Sequence, residues 1–310
     1  MEKANLKNVF EAIENKEKTE NAKIYTLFED LYAKLEQIKD LAFNDFLTGE
    51  LTIFPFGDYI SNTGYENSLL EFYVIYKTER ENINLSVTAQ KLTKKGKVKV
   101  STYQRIMGGE TNKGILQAEQ VAQRFEAYLR AQMPSIEKIY TKRNQIMMRF
   151  ARNITAKITI CYDFGNSNFL CRRVNTWVNV NLVKYLDNIE KKNRQTKQRF
   201  SKVVKLFKAL ELELLLTEES EIYIGKNGFV ENYLYNIPDS LFLESDEYVM
   251  IQNIITYMLN KKPNDFMLID ETALMFNEKS IYSIKLAKQF VNKIKYAFDN
   301  FEEIIDKKSQ

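Results

Sequence analysis

The chain has 310 residues, of which 45% are hydrophobic and 28% charged, so it is long enough for one large domain or two ordinary ones. Its formal net charge of +4 is too small to indicate nucleic-acid binding by itself. The sequence contains no histidine, which excludes a Ser-His or Cys-His nucleophile and a zinc site built on histidine.

The cysteines and the N-terminal residues are used to predict the cellular compartment of the protein. Cys161 and Cys171 lie in or beside apolar segments, and we interpret them as reduced core residues of a cytoplasmic protein. The charged first residues predict that no signal peptide is present. No apolar run approaches the ~20 residues that a membrane span needs, so we expect no membrane partner.

The first part of the chain has the pattern of a mixed sheet with helices. Apolar residues at helical spacing predict helices over residues 5–46 and 115–133, the second of which stops near Pro134. Short segments rich in aromatic or β-branched residues, or with alternating polarity, predict strands over residues 51–56, 69–77, 84–90, 97–106, 144–151 and 155–164.

The pattern becomes helical after Asn179. Residues 180–216, 246–261 and 279–305 each predict a helix. We therefore predict an α/β core over residues 1–175 and a helical domain over residues 176–310. The N-terminal helix belongs to either part or bridges both.

Four segments carry a resemblance to a known family. They are the turn Gly57-Asp58 with the strand that bears Glu71, "TWVNVNLVKYLDNIEKKNRQTKQRFSKVVKLFKALEL" (176–212), "GFVENYLYNIPDSLF" (228–242) and "DFMLIDETALMFNEKSIYSIKLAKQFVNKI" (265–294). In this order they resemble the nucleotidyltransferase superfamily in its oligoadenylate-synthase and cyclic-dinucleotide-synthase (cGAS-like) branch. The resemblance implies an α+β fold with a mixed-sheet nucleotidyltransferase core, flanking helices and a C-terminal helical domain. Such a protein would be bilobal, with the nucleotide in a central cleft.

The family pattern needs carboxylates that this sequence replaces. Family members carry two acids at positions i and i+2 of a strand and a third on a neighbouring strand, and together these hold two Mg²⁺ ions. Here Leu69 stands at position i and Glu71 at i+2, while Lys157 occupies the position of the third acid. Asp163 lies six residues beyond Lys157, about 20 Å along an extended strand, which makes it a poor substitute.

These departures predict that the metal chemistry is lost. We expect Glu71 to pair with Lys157 across adjacent strands, and we expect no metal or other cofactor, or Mg²⁺ if the site is active. An alternative has Asp58, Glu66 and Glu71 converging on a metal from the turn and the strand.

The resemblance also indicates nucleotide-binding residues, namely Gly57, Asp58, Lys205 and Lys208. Asp58 replaces the family's serine, and its carboxylate would repel a triphosphate by roughly 4 kcal/mol at 4 Å in an effective dielectric of about 20. Lys208 matches the lysine that meets the triphosphate in the family. Most other cations between residues 184 and 208 are interpreted as a solvated helix face.

A second basic group lies among aromatic residues. Arg143, Arg149, Arg152 and Arg172 could contact a nucleic acid, or they could lie on the solvated face of strands. The leading hypothesis is thus a catalytically degenerate nucleotidyltransferase-fold protein, a pseudoenzyme that binds a nucleotide, RNA or a protein partner. The alternatives are an active Mg²⁺-dependent nucleotidyltransferase with a rearranged carboxylate site, and a basic RNA-binding module.

Overall fold

The computed structural model describes residues 3–41, 49–58, 60–63, 69–78, 97–99, 118–142, 144–151, 154–163, 169–173, 176–217, 228–277, 280 and 282–300. The chain divides into two compact units. The sheet unit comprises Ala22–Ile60 and Asn67–Val183, and the helical unit comprises Met1–Asn21, Ser61–Glu66 and Lys184–Gln310. The domain boundary between residues 175 and 176 stays a prediction.

Eight strands of the described ranges form one sheet. They are β1 (Gly49–Phe56), β2 (Leu69–Thr78), β3 (Lys97–Lys99), β4 (Ile136–Lys142), β5 (Gln145–Phe150), β6 (Thr155–Asp163), β7 (Phe169–Arg173) and β8 (Thr176–Val180). The main path runs β1-β2-β6-β7-β8-β3, and β5 pairs with β6 and carries β4 on its other side. Strands β2 and β6 are parallel and the other pairs are antiparallel, so the predicted mixed sheet is confirmed.

Helices cover one face of this sheet. Alternate residues of β2 and β6 are apolar and buried, and they pack against α1 (Lys3–Leu41) and α2 (Ala118–Gln132). The core residues are Leu70, Phe72, Val74, Ala156, Ile158 and Ile160 from these strands, with Phe28, Leu31, Leu35, Val121, Phe125 and Leu129 from the helices. Because side chains alternate along a strand, Glu71 and Lys157 lie on the opposite face.

Strands β4, β7 and β8 were not predicted from the sequence, and the reason is clearest for β4. Its segment "IEKIYTK" carries charged residues at three of seven positions, which hides the alternation that identifies a strand. Two other strand predictions cannot be compared in full. Residues 84–90 and 100–106 lie outside the described residues, and only Lys97–Lys99 of the second segment is seen, as β3.

The helical unit contains α3 (Leu182–Gln195), α4 (Arg199–Thr217), α5 (Phe229–Tyr235), α6 (Glu247–Asn260) and α7 (Ile284–Asp299), with 3₁₀ turns at Asp239–Leu243 and Pro263–Asp265. Helix α6 confirms the second predicted helix, and α7 confirms the third from Ile284 to Asp299. Residues 280, 282 and 283 are not helical, and residues 301–305 lie outside the described ranges. Asp246 and Ser283 cap α6 and α7, because their side chains accept hydrogen bonds from backbone N–H groups of the first turn.

The prediction of one helix over residues 180–216 is wrong. The helix is interrupted at Lys197 and Gln198, whose φ angles of 53° and 66° lie in the left-handed region. Side chains replace the lost helical bonds at the break. Thr196 Oγ1 accepts from the N–H of Phe200, and Asn193 Oδ1 accepts from the N–H of Ser201.

Lys192 of α3 also departs from the expected solvated helix face. Its side chain is buried, and its Nζ lies 2.5 Å from an Asp239 carboxylate oxygen while donating to the carbonyl of Ile237. Burial lowers the pKa of Lys192, and Asp239 opposes that shift. The cation therefore ties α3 to the first 3₁₀ turn.

The two cysteines differ from the sequence expectation as well. Strands β6 and β7 place Cys161 directly opposite Cys171. Cys161 is buried and disulfide-bonded, so the prediction of reduced cysteines is wrong. Directly opposite residues of an antiparallel pair have Cα atoms roughly 4.5–5.5 Å apart, which is within reach of a disulfide.

Among the described residues, no helix is both long enough and apolar enough to cross a membrane.

An aromatic cluster in the helical unit gives a pH-dependent stability. Tyr233 is 1% exposed; its ring stacks on Phe229 and meets Phe266 and Phe290 edge to face. Burial, followed by the influence of Tyr257, raises the pKa of Tyr233 to about 12, above the ordinary value of 10. A raised folded-state pKa means that this stability is present below pH ~10 and is lost as the pH rises toward ~12.

We therefore expect the free energy of unfolding to fall between pH 10 and 12, with Tyr233 contributing about 2–3 kcal/mol of the loss. Urea titrations of the wild type and of Tyr233→Phe across this range measure the contribution. The variant should lose stability less steeply, while the exposed Tyr296→Phe should follow the wild type. Parallel curves for wild type and Tyr233→Phe would contradict the assignment.

Candidate functional site

The turn after β1 lies against Glu71. Gly57 has φ +87°, a conformation that residues with a Cβ rarely adopt. A Cβ added at Gly57 would lie 2.9 Å from Glu71 Oε2 and 3.1 Å from Glu71 Cβ. Glycine is therefore required both by the backbone and by the close approach, and the sequence correctly associated this turn with Glu71.

Glu71 and Lys157 are direct neighbours on β2 and β6. The parallel register pairs them, and the Nζ of Lys157 forms an ion pair with Glu71 Oε1. Each side chain is 15% exposed, so the pair is largely withdrawn from water. The expected pairing across adjacent strands is confirmed.

Leu69, Asp58 and Asp163 are the other described residues that the sequence relates to the metal site. Leu69 is half-buried, is paired in register with Thr155 and offers no oxygen. Asp58 is half-buried in the turn, and Asp163 lies at the last position of β6. Glu66, which the alternative metal arrangement requires, lies outside the described residues.

The residues present do not fit two Mg²⁺ ions. Mg²⁺ prefers hard oxygen ligands in octahedral geometry, and two ions in a transferase site share several carboxylates. Here one glutamate is neutralised by a lysine that carries positive charge where an acid is needed. Across the described ranges, no three His, Cys, Asp or Glu side chains are grouped so that they could hold a metal ion.

A second group of predicted residues lies within the helical unit. Lys208 is 2% exposed, and its Nζ forms an ion pair with Glu231 and donates to the carbonyl oxygen of Thr63 at 3.1 Å. Thr63 Oγ1 also donates to Glu231 Oε1, at 3.1 Å. Glu231 is fully buried, so this pair lies inside the unit and holds the segment of Thr63 against α4 and α5.

Lys205 lies one turn before Lys208 and has a separate contact. Its Nζ donates to Asn62 Oδ1 at 3.0 Å, and only 8% of the residue is exposed. Asn62 has φ 54°, which asparagine tolerates better than most residues. Both lysines thus contact the segment of residues 61–63. Sequence reasoning missed Glu231 as the counter-ion, because nothing in the pattern marks a buried pair. Nucleotide binding by Lys205 and Lys208 stays a prediction.

Two of the four arginines that were predicted to contact a nucleic acid, Arg149 and Arg172, lie on described strands. Arg149 is exposed on β5, and its Nε lies 3.5 Å from Glu137 Oε2. Arg143 and Arg152 lie outside the described residues, and Arg172 lies on β7 with its side chain outside the description. Whether the four arginines share one surface stays a prediction.

Comparison with known proteins supports the resemblance. Residues 187–299 match the family model of the cGAS/DncV-like nucleotidyltransferase C-terminal helical domain. No curated protein matches the chain in sequence. The predicted relation to the cGAS-like branch is therefore supported by the C-terminal domain and, in the solved structures below, by the fold.

Three solved structures share the fold. The Rhodothermus marinus CdnE c-UMP-AMP synthase has a TM-score of 0.65 and 16% identity, covering 88% of this chain and 91% of its own. The Elizabethkingia meningoseptica CdnE cyclic dinucleotide synthase has a TM-score of 0.60 and 17% identity, covering 87% and 89%. The Escherichia coli MS115-1 CdnC:HORMA-deltaN complex has a TM-score of 0.55 and 14% identity, covering 92% and 85%.

Proposed function

We propose that this chain, whose fold and C-terminal helical domain are those of the cGAS-like branch of the nucleotidyltransferase superfamily, performs no metal-dependent nucleotidyl transfer and acts by binding. The observation that carries the proposal is the ion pair of Lys157 with Glu71. It places a cation at the position of the third acid and occupies the one carboxylate that the motif retains.

Nucleotidyl transfer places growing negative charge on phosphoryl oxygens, and Mg²⁺ ions supply the compensating charge in two-metal sites. A hydrated Mg²⁺ would have to displace Lys157 from Glu71 and would then find Leu69 in place of the next carboxylate. Glu71 alone offers too few oxygens to compete with water for two such ions. The side chains on this face of the sheet therefore favour a site without metal-dependent nucleotidyl transfer.

The contacts of Lys208, the lysine that the resemblance assigns to the triphosphate, support a macromolecular partner over a nucleoside triphosphate. Lys208 is engaged by a fully buried carboxylate and a backbone carbonyl. A triphosphate that recruited Lys208 would leave the charge of Glu231 buried without its cation, which costs several kcal/mol. The CdnC structure is a complex with HORMA, which supports a protein as one candidate partner of this fold.

The direct test is a transferase assay on the purified chain. Labelled ATP, GTP, CTP and UTP are incubated with Mg²⁺ or Mn²⁺, with and without RNA, and pyrophosphate release and labelled products are measured. We expect wild type and Glu71→Ala to give the same background. Release by the wild type that is lost in Glu71→Ala would overturn the proposal and establish an active enzyme.

A variant that adds carboxylate ligands tests whether the Glu71–Lys157 pair is what prevents metal binding. Leu69→Asp with Lys157→Asp restores the carboxylate pattern, and we expect this double variant to bind Mn²⁺ that the wild type does not bind. Electron paramagnetic resonance of free Mn²⁺ measures the difference. Equal Mn²⁺ binding by both chains would show that the Glu71–Lys157 pair is not what excludes the metal.

A further inference from the structure

The face of the sheet that bears Glu71 and Lys157 continues across two more strands. Register pairs Lys157 of β6 with Met147 of β5, and Met147 with Tyr140 of β4. The neighbouring row pairs Thr155 with Arg149 and Arg149 with Lys138. Since side chains on alternate positions share a face, Lys138, Tyr140 and Lys142 of β4 lie on the same face as Arg149.

This outer part of the face is exposed. Lys138, Lys142 and Arg149 are all exposed, and Tyr140 is 46% exposed. The intervening residues Ile139, Ile146 and Met148 are buried in the core on the other face. We call the four exposed side chains the basic strip: Lys138, Tyr140, Lys142 and Arg149.

The basic strip combines positive charge with an accessible aromatic ring. The Nζ of Lys138 lies 5.7 Å from the centre of the Tyr140 ring, so one cation is placed over the exposed ring. Proteins that bind single-stranded nucleic acid use this combination, in which cations contact phosphates and aromatic rings stack on bases. A duplex buries its bases, so an exposed ring on a sheet face suits an unpaired strand.

Glu137, which forms an ion pair with Arg149, does not neutralise the strip. Glu137 lies 3.5 Å from the Arg149 guanidinium, but the two side chains are 49% and 53% exposed. Exposed ion pairs of this kind are worth only about 0–1 kcal/mol. A phosphate can therefore replace Glu137 and bind the planar guanidinium through two hydrogen bonds.

We propose that the basic strip binds single-stranded RNA. Lys138, Lys142 and Arg149 contact phosphates, and Tyr140 stacks on one base. Gln145 and Thr155 are half-buried neutral side chains in register beside Lys142 and Arg149, and they offer hydrogen-bonding groups for a ribose 2′-hydroxyl. The inference rests on the proposed function in that it gives the binding protein a partner.

The test measures fluorescence anisotropy of a labelled single-stranded RNA of about a dozen nucleotides. Lys138→Glu with Lys142→Glu should weaken binding about tenfold or more and flatten the slope of log K against log salt by about 1.4, since two phosphate contacts are lost. Tyr140→Ala should weaken binding roughly 5- to 100-fold and leave the salt slope unchanged.

The matched control is Lys285→Glu with Lys288→Glu on α7, which makes the same charge change at two exposed lysines of the helical unit. It should leave RNA affinity within about twofold of the wild type. Equal losses in both double variants would show a non-specific charge effect and overturn the proposal. So would binding of duplex RNA, or of DNA of the same sequence, as tight as the single-stranded RNA. If circular dichroism shows that the glutamate variant is unfolded, the test is repeated with Lys138→Gln and Lys142→Gln.

The transferase assay separates this inference from the proposed function. If the strip and control variants lose RNA affinity equally and no pyrophosphate is released, RNA binding by the basic strip is overturned. The proposal that the chain performs no nucleotidyl transfer is then unaffected. If RNA binds through the basic strip and pyrophosphate release depends on Glu71, the RNA-binding proposal is supported. The proposal that the chain performs no nucleotidyl transfer is then overturned.

Discussion

Replacing Lys208 by methionine is expected to lower the free energy of unfolding by about 3–5 kcal/mol. The side chain is 2% exposed and its partner Glu231 is fully buried, so the variant leaves a carboxylate charge inside the helical unit without its cation. Urea denaturation followed by far-ultraviolet circular dichroism measures the loss. Lys7→Met is the control, because Lys7 is 76% exposed in its ion pair with Glu11 and should change stability by less than about 1 kcal/mol.

The double variant Lys208→Met with Glu231→Gln distinguishes a buried pair from a nucleotide ligand. Removing both charges should recover much of the lost stability, because the cost arises from one uncompensated charge rather than from the missing bond. A Lys208→Met chain of wild-type stability whose ATP affinity has fallen would show instead that Lys208 serves a bound nucleotide.

Lys157→Ala is expected to lower the free energy of unfolding by about 1–4 kcal/mol, because Glu71 is then left partly buried beside the Gly57 turn without its partner. Glu71→Gln and the double variant complete a cycle whose coupling energy reports the pair itself. The exposed pair of Lys295 with Asp299 is the matched control, since both side chains are 49% exposed. A Lys157→Ala effect no larger than that of Lys295→Ala would show that the pair contributes no more than a surface contact.

The sheet pattern could be predicted from local spacing, and the Glu71–Lys157 pair could be predicted because the family resemblance assigns these two positions to neighbouring strands. Alternation in "LLEFYVIYK" fixes which residues face the core, and the family order places Lys157 beside Glu71. The pairing of Lys208 with Glu231 and Thr63 could not be predicted. Charged residues on a helix are usually solvated, and neither a strand register nor the family resemblance places Glu231 or Thr63 beside Lys208, so only the tertiary fold reveals their burial.

The helix break and strand β4 were missed for other reasons. Lys197 and Gln198 carry no glycine or proline signal, and the break is held by the side chains of Asn193 and Thr196, which are compatible with a helix in sequence. In β4 the lysines and the glutamate obscure the apolar face. The same residues that hid the strand from the pattern make its outer face basic.

The parallel pairing of β2 with β6 also sets an order of events during folding. Parallel strands cannot be joined by a tight turn, and residues 79–154 separate these two along the chain. Closing so long a loop costs entropy before any contact offsets it, so we infer that Glu71 meets Lys157 after the hairpin of β4 with β5 has formed. Loss of the pair would then accelerate unfolding and leave refolding nearly unchanged, which stopped-flow kinetics of Lys157→Ala would reveal. A slower refolding limb would place the contact in the folding nucleus instead.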